Sequence, residues 1–171
     1  MNSGVFPVKI IDLSTDFREN RADHDFVYGL PELNRKGILS ARHIANPGCF
    51  ATAIQLGLLP LAKNGLLKDE IHVNAITGST GAGVKLSTTS HFSWRNNNVS
   101  IYKAFTHQHL HEINQSLHQL QPSFGHAVNF IPVRGNFTRG ILAASYTKCD
   151  LTLEEATEIY SEFYSEAAFT F

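Results

Sequence analysis

No stretch of this sequence concentrates basic residues. Lys and Arg number 14 against 15 Asp and Glu, for a formal charge of -1. The electrostatic footprint of a nucleic-acid binder is therefore missing. Long apolar runs are missing too: the longest, residues 56–62, is too short to span a bilayer. Cysteine is scarce, with only Cys49 and Cys149, which excludes a disulfide framework. The opening Met1-Asn2-Ser3-Gly4 has neither the charged nor the apolar segment of a secretory signal, so a reducing cytoplasm is the expected compartment. There is no internal repeat, low-complexity tract or Gly/Ser linker.

What is present is the composition of a packed domain. Of 171 residues, 43% are hydrophobic and 12 are Phe, which excludes disorder. The length fits one domain, or one domain plus part of another. A chain of this size buries roughly 70% of the surface it exposes when unfolded. Nine His beside two Cys suit either metal binding or acid–base work, and are too many for all of them to matter.

Periodicity predicts alternating strands and helices. Residues 8–13 form a short β-branched run, followed up to residue 42 by a polar, turn-rich excursion. A helix apolar on every side, hence buried, is expected over residues 50–63, ending at Asn64-Gly65. Strands are expected at residues 71–76, 99–105, 127–132 and 141–148. Leu110, Ile113, Leu117 and Leu120 recur at helical spacing over residues 109–119. Thr152-x-x-Glu155 is a capping box opening a last helix, with Ala156, Ile159, Tyr160 and Phe163 on one face. The mixture implies an α/β or α+β domain. The strands beginning at 127 and 141, joined by a loop with two Gly, read most simply as an antiparallel pair.

Four segments could carry chemistry. Asn46-Pro47-Gly48-Cys49 puts a tight turn before a helix and a Cys at its first position. The unpaired N–H groups and partial positive charge of a helix start favour a thiolate, and could hold an oxyanion formed at an attacked carbonyl. Equally, Cys49 could be a small apolar residue opening a buried helix. Cys149, at a strand end, reads as structural. His107-Gln108-His109-Leu110-His111-Glu112 lies at a strand–helix junction, where His107 or His109 could serve a thiol as acid–base partner. The helical spacing and lack of a second ligand cluster argue against a metal there. Gly78-Ser79-Thr80-Gly81-Ala82-Gly83 is neither a P-loop nor a dinucleotide fingerprint, and reads as a turn. Arg134 and Arg139 could each grip a carboxylate or phosphate, or decorate a loop.

Taken in order, these segments resemble N-acetyl-gamma-glutamyl-phosphate reductases. So do Asp12-Leu13-Ser14-Thr15-Asp16-Phe17-Arg18 and Tyr28-Gly29-Leu30-Pro31. The resemblance implies a glyceraldehyde-3-phosphate dehydrogenase-like C-terminal domain: a mixed, largely antiparallel sheet packed by helices. It implies that Cys49 attacks an acyl phosphate and that NADPH reduces the resulting thioester to a semialdehyde, a step of arginine biosynthesis. His107 becomes the acid–base group with His109 as the near alternative. His109, Glu112, Ser79, Gly81 and Arg139 become substrate contacts, and Pro47 and Gly48 border the cofactor. Phe50-Ala51 stands where Tyr-Pro is common, and Val133 where a His is frequent. Residues 1–45 match the end of a nucleotide-binding domain and 46–171 a catalytic and dimerisation domain incomplete at its C-terminus. The chain is thus expected to be a fragment, inactive alone as a reductase and lacking most of the NADP(H) site. The resemblance further implies a cytoplasmic homodimer or homotetramer with a small-molecule substrate, no metal, no membrane and no nucleic acid. The substrate's N-acyl group stays open. Two other classes stay open: a Cys–His hydrolase or acyltransferase, and a non-catalytic oligomerisation module.

Overall fold

A computed structural model describes residues 8–171, so the opening residues Met1 to Gly4 lie outside it. The chain forms two compact units, Met1–Gly48 and Cys49–Phe171.

The first unit is a three-stranded parallel sheet in which β3 (His43–Ala45) lies between β1 (Ile10–Asp12) and β2 (Val27–Tyr28). Parallel neighbours need a crossover, and between β2 and β3 it is α1 (Pro31–Ser40). The sequence suggests only an irregular excursion here. α1 has no apolar stripe, buries no residue, and is kinked at Asn34. Its one local sign is Pro31-Glu32, a proline and an acid in the first turn. Gly29 shows why a side chain is absent from Tyr28-Gly29-Leu30-Pro31: a Cβ there would lie 2.6 Å from Ile44 Cγ2 and 3.0 Å from the Ala45 carbonyl. Phe17 stacks on Phe26 at 4.2 Å, and Phe26 on His43 at 5.1 Å.

The second unit carries α2 (Cys49–Lys63), β4 (Ile71–Thr77), a 3-10 turn at Ser79–Ala82, α3 (Phe92–Arg95) and β5 (Ser100–Ile101). They are followed by α4 (His109–Leu120), β6 (Val128–Arg134), β7 (Ile141–Tyr146) and α5 (Leu153–Tyr164). The sheet runs β5-β6-β4-β7, with β4 parallel to β6 and the two outer pairings antiparallel. This corrects the expected β6–β7 pairing, because β4 is inserted between them. The alternation of β4 explains the insertion. Ile71, Val73 and Ala75 are all buried on one face, and only a central strand, flanked on both edges, keeps its backbone groups paired there.

α2 and α4 cover that face. Phe50, Ile54, Leu58, Ile113, Leu117 and Phe130 pack with the β4 residues into one core. Each such side chain contributes about 2 kcal/mol on burial. α2 ends as the sequence predicts, at Gly65 with φ 68°. It also contains Pro60, which cannot donate to the Leu56 carbonyl and crowds it. α5 supplies the missing donor, the Tyr164 hydroxyl, which donates to the Leu56 carbonyl; the Tyr160 hydroxyl donates to the neighbouring Gly57 carbonyl. Thr152 and Glu155 form the expected capping box at the start of α5. Leu142 and Tyr146 of β7 are exposed on the opposite face of the sheet.

The strand expected over 99–105 is cut to two residues, because Lys103 and Phe105 adopt positive φ (45° and 61°). The following segment still follows the edge of β6, with Tyr102 N–H donating to the Pro132 carbonyl and Phe105 N–H to that of Phe130. Arg95, which nothing in the sequence singles out, is buried. Its guanidinium donates to the carbonyls of Thr89, Asn98 and Arg134 and to the Ser100 hydroxyl. It thereby ties the excursion after β4 to the end of β6.

Candidate active site

Cys49 is the first residue of α2 and is exposed, while Phe50 and Ala51 beside it are fully buried and hold the helix start rigid. The thiol opens on a cavity of about 510 Å3. One wall is a single face of α2, made by Cys49, Thr52, Ala53 and Leu56, at the i, i+3, i+4 and i+7 spacing that stacks side chains along a helix. The other wall is made by the 3-10 turn after β4 and by residues 139–141 entering β7.

Those two segments are laced together. Gly78 N–H donates to the Gly140 carbonyl at 3.0 Å, and Ser79 N–H to that of Phe137 at 2.8 Å. The Thr80 hydroxyl donates to the Thr138 carbonyl at 2.6 Å. The backbones approach so closely that a Cβ on Gly78 would lie 2.5 Å from the Thr138 carbonyl oxygen and 2.7 Å from the Arg139 nitrogen. The N–H groups of this glycine-rich loop thus serve its neighbour, as expected of a turn rather than a phosphate cradle.

The cavity brings together three of the residues singled out by sequence: Cys49, Gly81 and Arg139. Thr52 and Thr80 join them; Thr80 lies in the glycine-rich segment named above, but the sequence singles out neither threonine as a site residue. Thr52 was findable as the residue three positions beyond Cys49. Ser79 does not line the cavity and acts through its backbone. Pro47 and Gly48 belong to the first unit, where the Pro47 carbonyl accepts from the Asn46 side-chain amide.

His107, His109 and Glu112 do not line the cavity. They are buried at the start of α4. The His107 ring meets Phe50, the neighbour of Cys49, at 5.7 Å, and also meets Phe130, Tyr102 and His109. Burial, then the electrostatic influence of His109, Lys103 and Arg134, push the His107 pKa down to about 4, with Glu112 opposing. The imidazole is neutral at pH 7. Its Nδ1 accepts from the His109 N–H at 3.2 Å, so the ring proton sits on Nε2. His109 Nε2 lies 3.9 Å from Glu112 Oε1. Arg134 stands over the Tyr102 ring at 4.6 Å. Burial raises the Tyr102 pKa against the pull of Arg134, and the nearby Cys49 adds to the rise. Among the described residues there is no cluster of three metal-ligating side chains, and no helix is long and apolar enough to cross a membrane.

A dinucleotide would need a glycine turn between a strand and a helix, with free N–H groups for its phosphates. β1 runs instead into an Asp12–Ser14 turn, where the Asp12 carboxylate takes the Ser14 N–H and hydroxyl. The N–H groups of Gly78 and Ser79 are already engaged. Neither of these two segments therefore offers free N–H groups to the phosphates of NADP(H).

Curated relatives match the chain closely. It is 68% identical to an N-acetyl-gamma-glutamyl-phosphate reductase of Parabacteroides distasonis over 96% of its own length and 51% of the relative's. It is 64% identical to one of Christiangramia forsetii, over 95% and 51%. The chain thus spans about half the length of the relatives it matches. Among solved structures, it is similar to aspartate semialdehyde dehydrogenase II of Vibrio cholerae, with a TM-score of 0.62 at 19% identity over 87% of this chain and 51% of that one. It is also similar to a probable aspartate-semialdehyde dehydrogenase of Pseudomonas aeruginosa, with a TM-score of 0.61 at 15% identity over 94% and 53%. The family model of the semialdehyde dehydrogenase dimerisation domain matches residues 49–171, which is the second unit, and the chain belongs to that family.

Proposed function

We propose that this chain is the thiol-bearing part of an N-acetyl-gamma-glutamyl-phosphate reductase, which reduces N-acetyl-glutamyl 5-phosphate to the 5-semialdehyde with NADPH. The observation that carries the proposal is Cys49: an exposed thiol at the start of a buried helix, opening on a cavity shared with Arg139. The names of the close relatives supply the substrate.

The Cys49 thiolate attacks the acyl carbon, the C–O bond to the phosphoryl group breaks, and phosphate leaves with its electron pair. The product is a thioester on Sγ. The α2 N-terminus favours both the thiolate and the oxyanion of the tetrahedral intermediate. His107, neutral and protonated on Nε2, acts as a hydrogen-bond donor to that oxygen, and so stabilises charge rather than transferring a full proton. Both rings meet Phe50, His107 at 5.7 Å and His109 at 6.3 Å, and what favours His107 is that the Nε2 of His109 is turned toward Glu112. Glu112 positions His109 in this scheme, and Gly81, Arg139 and the Ser79 backbone shape the substrate wall. Reduction of the thioester belongs to the nucleotide-binding part of a complete reductase, and residues 1–45 are the end of that part. Residues 46–171 are the catalytic and dimerisation domain. A second copy of the chain pairs with the open sheet face that exposes Leu142 and Tyr146, in a cytoplasmic homo-oligomer.

The test is acylation without nicotinamide. The full chain, mixed with N-acetyl-glutamyl phosphate, should release about one phosphate per chain and gain the acyl mass on Cys49. Cys149→Ser should behave likewise and Cys49→Ser should not. Failure to form the adduct would overturn the proposal. Continued phosphate release over many equivalents, dependent on Cys49, would point to a hydrolase instead.

A further inference from the structure

The segment between β5 and α4 is strained. Lys103 and Phe105, neither of them glycine, sit in the left-handed region at φ 45° and 61°. A bulky residue rarely adopts that backbone, and keeps it only where its surroundings impose it. Here the imposing contacts are visible. The N–H groups of Tyr102 and Phe105 stay on the β6 carbonyls of Pro132 and Phe130, and Thr106 N–H donates to the Lys103 carbonyl. Lys103 Nζ donates to Gln108 Oε1 at 3.0 Å. The bend brings the Tyr102 ring to His107, edge to face, at 5.8 Å. From the end of β6, the half-buried Arg134 covers the Tyr102 ring at 4.6 Å. His107 in turn meets Phe50 at 5.7 Å. The contacts thus run unbroken from Arg134 through Tyr102 and His107 to the neighbour of Cys49. Arg134 itself does not line the Cys49 cavity.

We infer that Arg134 is a positioning residue for the reaction at Cys49: stacked on Tyr102, it locks the His107 ring in the orientation that makes Nε2–H the donor. The inference rests on the reading of Cys49 as nucleophile and His107 as its hydrogen-bond donor, and adds a residue to that site. Two effects act together. A guanidinium on a ring face is attracted by the ring's quadrupole, more strongly when partly desolvated, so Tyr102 cannot swing off His107 without losing that contact. The same cation adds to burial, His109 and Lys103 in opposing a second proton on His107, while Glu112 favours it. The titratable groups around His107 are His109 and Glu112 of α4, Lys103 of the bend, Tyr102 and Arg134 on the sheet side, and Cys49 beside Phe50 at the start of α2. A second proton would fall on Nδ1, which already accepts from the His109 N–H, and would break the locked orientation.

The experiment is NMR of the full chain carrying 15N-labelled histidine, with the His107 signals assigned by their loss in His107→Gln. The parent chain should show one neutral His107 tautomer, protonated on Nε2, from about pH 8 to about pH 5. Arg134→Met keeps a long side chain but removes both the charge and the planar stack. It should mix the two tautomers and move the His107 midpoint upward from about 4. Arg134→Lys should recover part of the parent behaviour, because it restores the charge without the stack. Tyr102→Phe should resemble the parent and Tyr102→Leu should resemble Arg134→Met, since the ring is the link. In the acylation assay, Arg134→Met should slow thioester formation on Cys49 about three- to tenfold, the range of a partly desolvated cation–ring contact. The half-saturating concentration of acyl phosphate should not change. A parent-like tautomer and midpoint in Arg134→Met would overturn the inference, and Tyr102→Leu carries the same decision if Arg134→Met does not fold. A raised half-saturating concentration at an unchanged maximal rate would also overturn it, by making Arg134 a substrate contact. The spectra need no substrate. A parent chain that forms no thioester overturns the reading of Cys49 as nucleophile, and the link from Arg134 to His107 is still decided by NMR.

Discussion

Replacing Gly78 by Ala tests the architecture of the cavity rim. The added Cβ would stand 2.5 Å from the Thr138 carbonyl oxygen, 2.7 Å from the Thr138 carbonyl carbon and 2.7 Å from the Arg139 nitrogen. All three are backbone atoms, so no flexible side chain can swing away. Either the 3-10 turn or the 137–140 loop has to move by several tenths of an ångström. The bonds at risk are those from Gly78, Ser79 and Thr80 to the carbonyls of Gly140, Phe137 and Thr138. Overpacking of this kind costs about 1–3 kcal/mol, and each weakened hydrogen bond adds up to about 1 kcal/mol. A loss of about 3 kcal/mol is expected. Gly57 provides the contrast. It lies inside α2, and a methyl group added there would meet nothing within 4 Å, so Gly57→Ala should stabilise by about 0.5–1 kcal/mol through helix propensity and chain entropy. Urea denaturation of both variants reads the two signs as opposite shifts of the midpoint at unchanged slope. Should Gly78→Ala unfold at the same urea concentration as the parent chain, the close approach of the two loops is not a structural constraint and the cavity wall built on it is wrong.

Buried groups offer two more tests. His107 has a folded pKa of about 4 against an ordinary 6.5, so the unfolded chain binds the extra proton first. Stability should therefore be lost as pH falls from 6.5 toward 4, and His107→Gln should flatten that slope; an unchanged slope in denaturation midpoints between pH 7 and 4.5 would refute the burial argument. Tyr164→Phe removes the donor to the Leu56 carbonyl that Pro60 leaves unserved, at a cost of about 1–2 kcal/mol. In a Pro60→Ala background the restored backbone N–H takes over, and a double-mutant cycle should show the cost of Tyr164→Phe falling by about half or more.

Local chemistry alone determined a large part of this protein. The all-round apolar character of residues 50–63 specified a buried helix, and Gly65 specified its end, because few other residues adopt φ 68° without strain. Thr152 and Glu155 declared the start of α5 through two short-range bonds. The alternation along Ile71–Thr77 announced a strand with one buried face. Cys49 could be singled out because a turn-then-helix pattern and its electrostatics are both local.

Tertiary structure decided what depends on residues distant in sequence. A two-Gly loop between β6 and β7 looks like a hairpin, yet β4 separates the strands, since partner choice follows which apolar faces share a core. α1 has no apolar stripe to announce it. Ser79 and Arg139 belong to motifs of similar appearance, but the lacing of their loops turns the first into backbone scaffolding and leaves the second as an unpaired cation beside the thiol. His107 and His109 differ by two residues. Burial and a single backbone N–H give the first a neutral ring with its proton on Nε2, while an ion-pair distance to Glu112 marks the second. A sequence states which side chains exist; only packing sets their solvation and their neighbours, and those two quantities determine their chemistry.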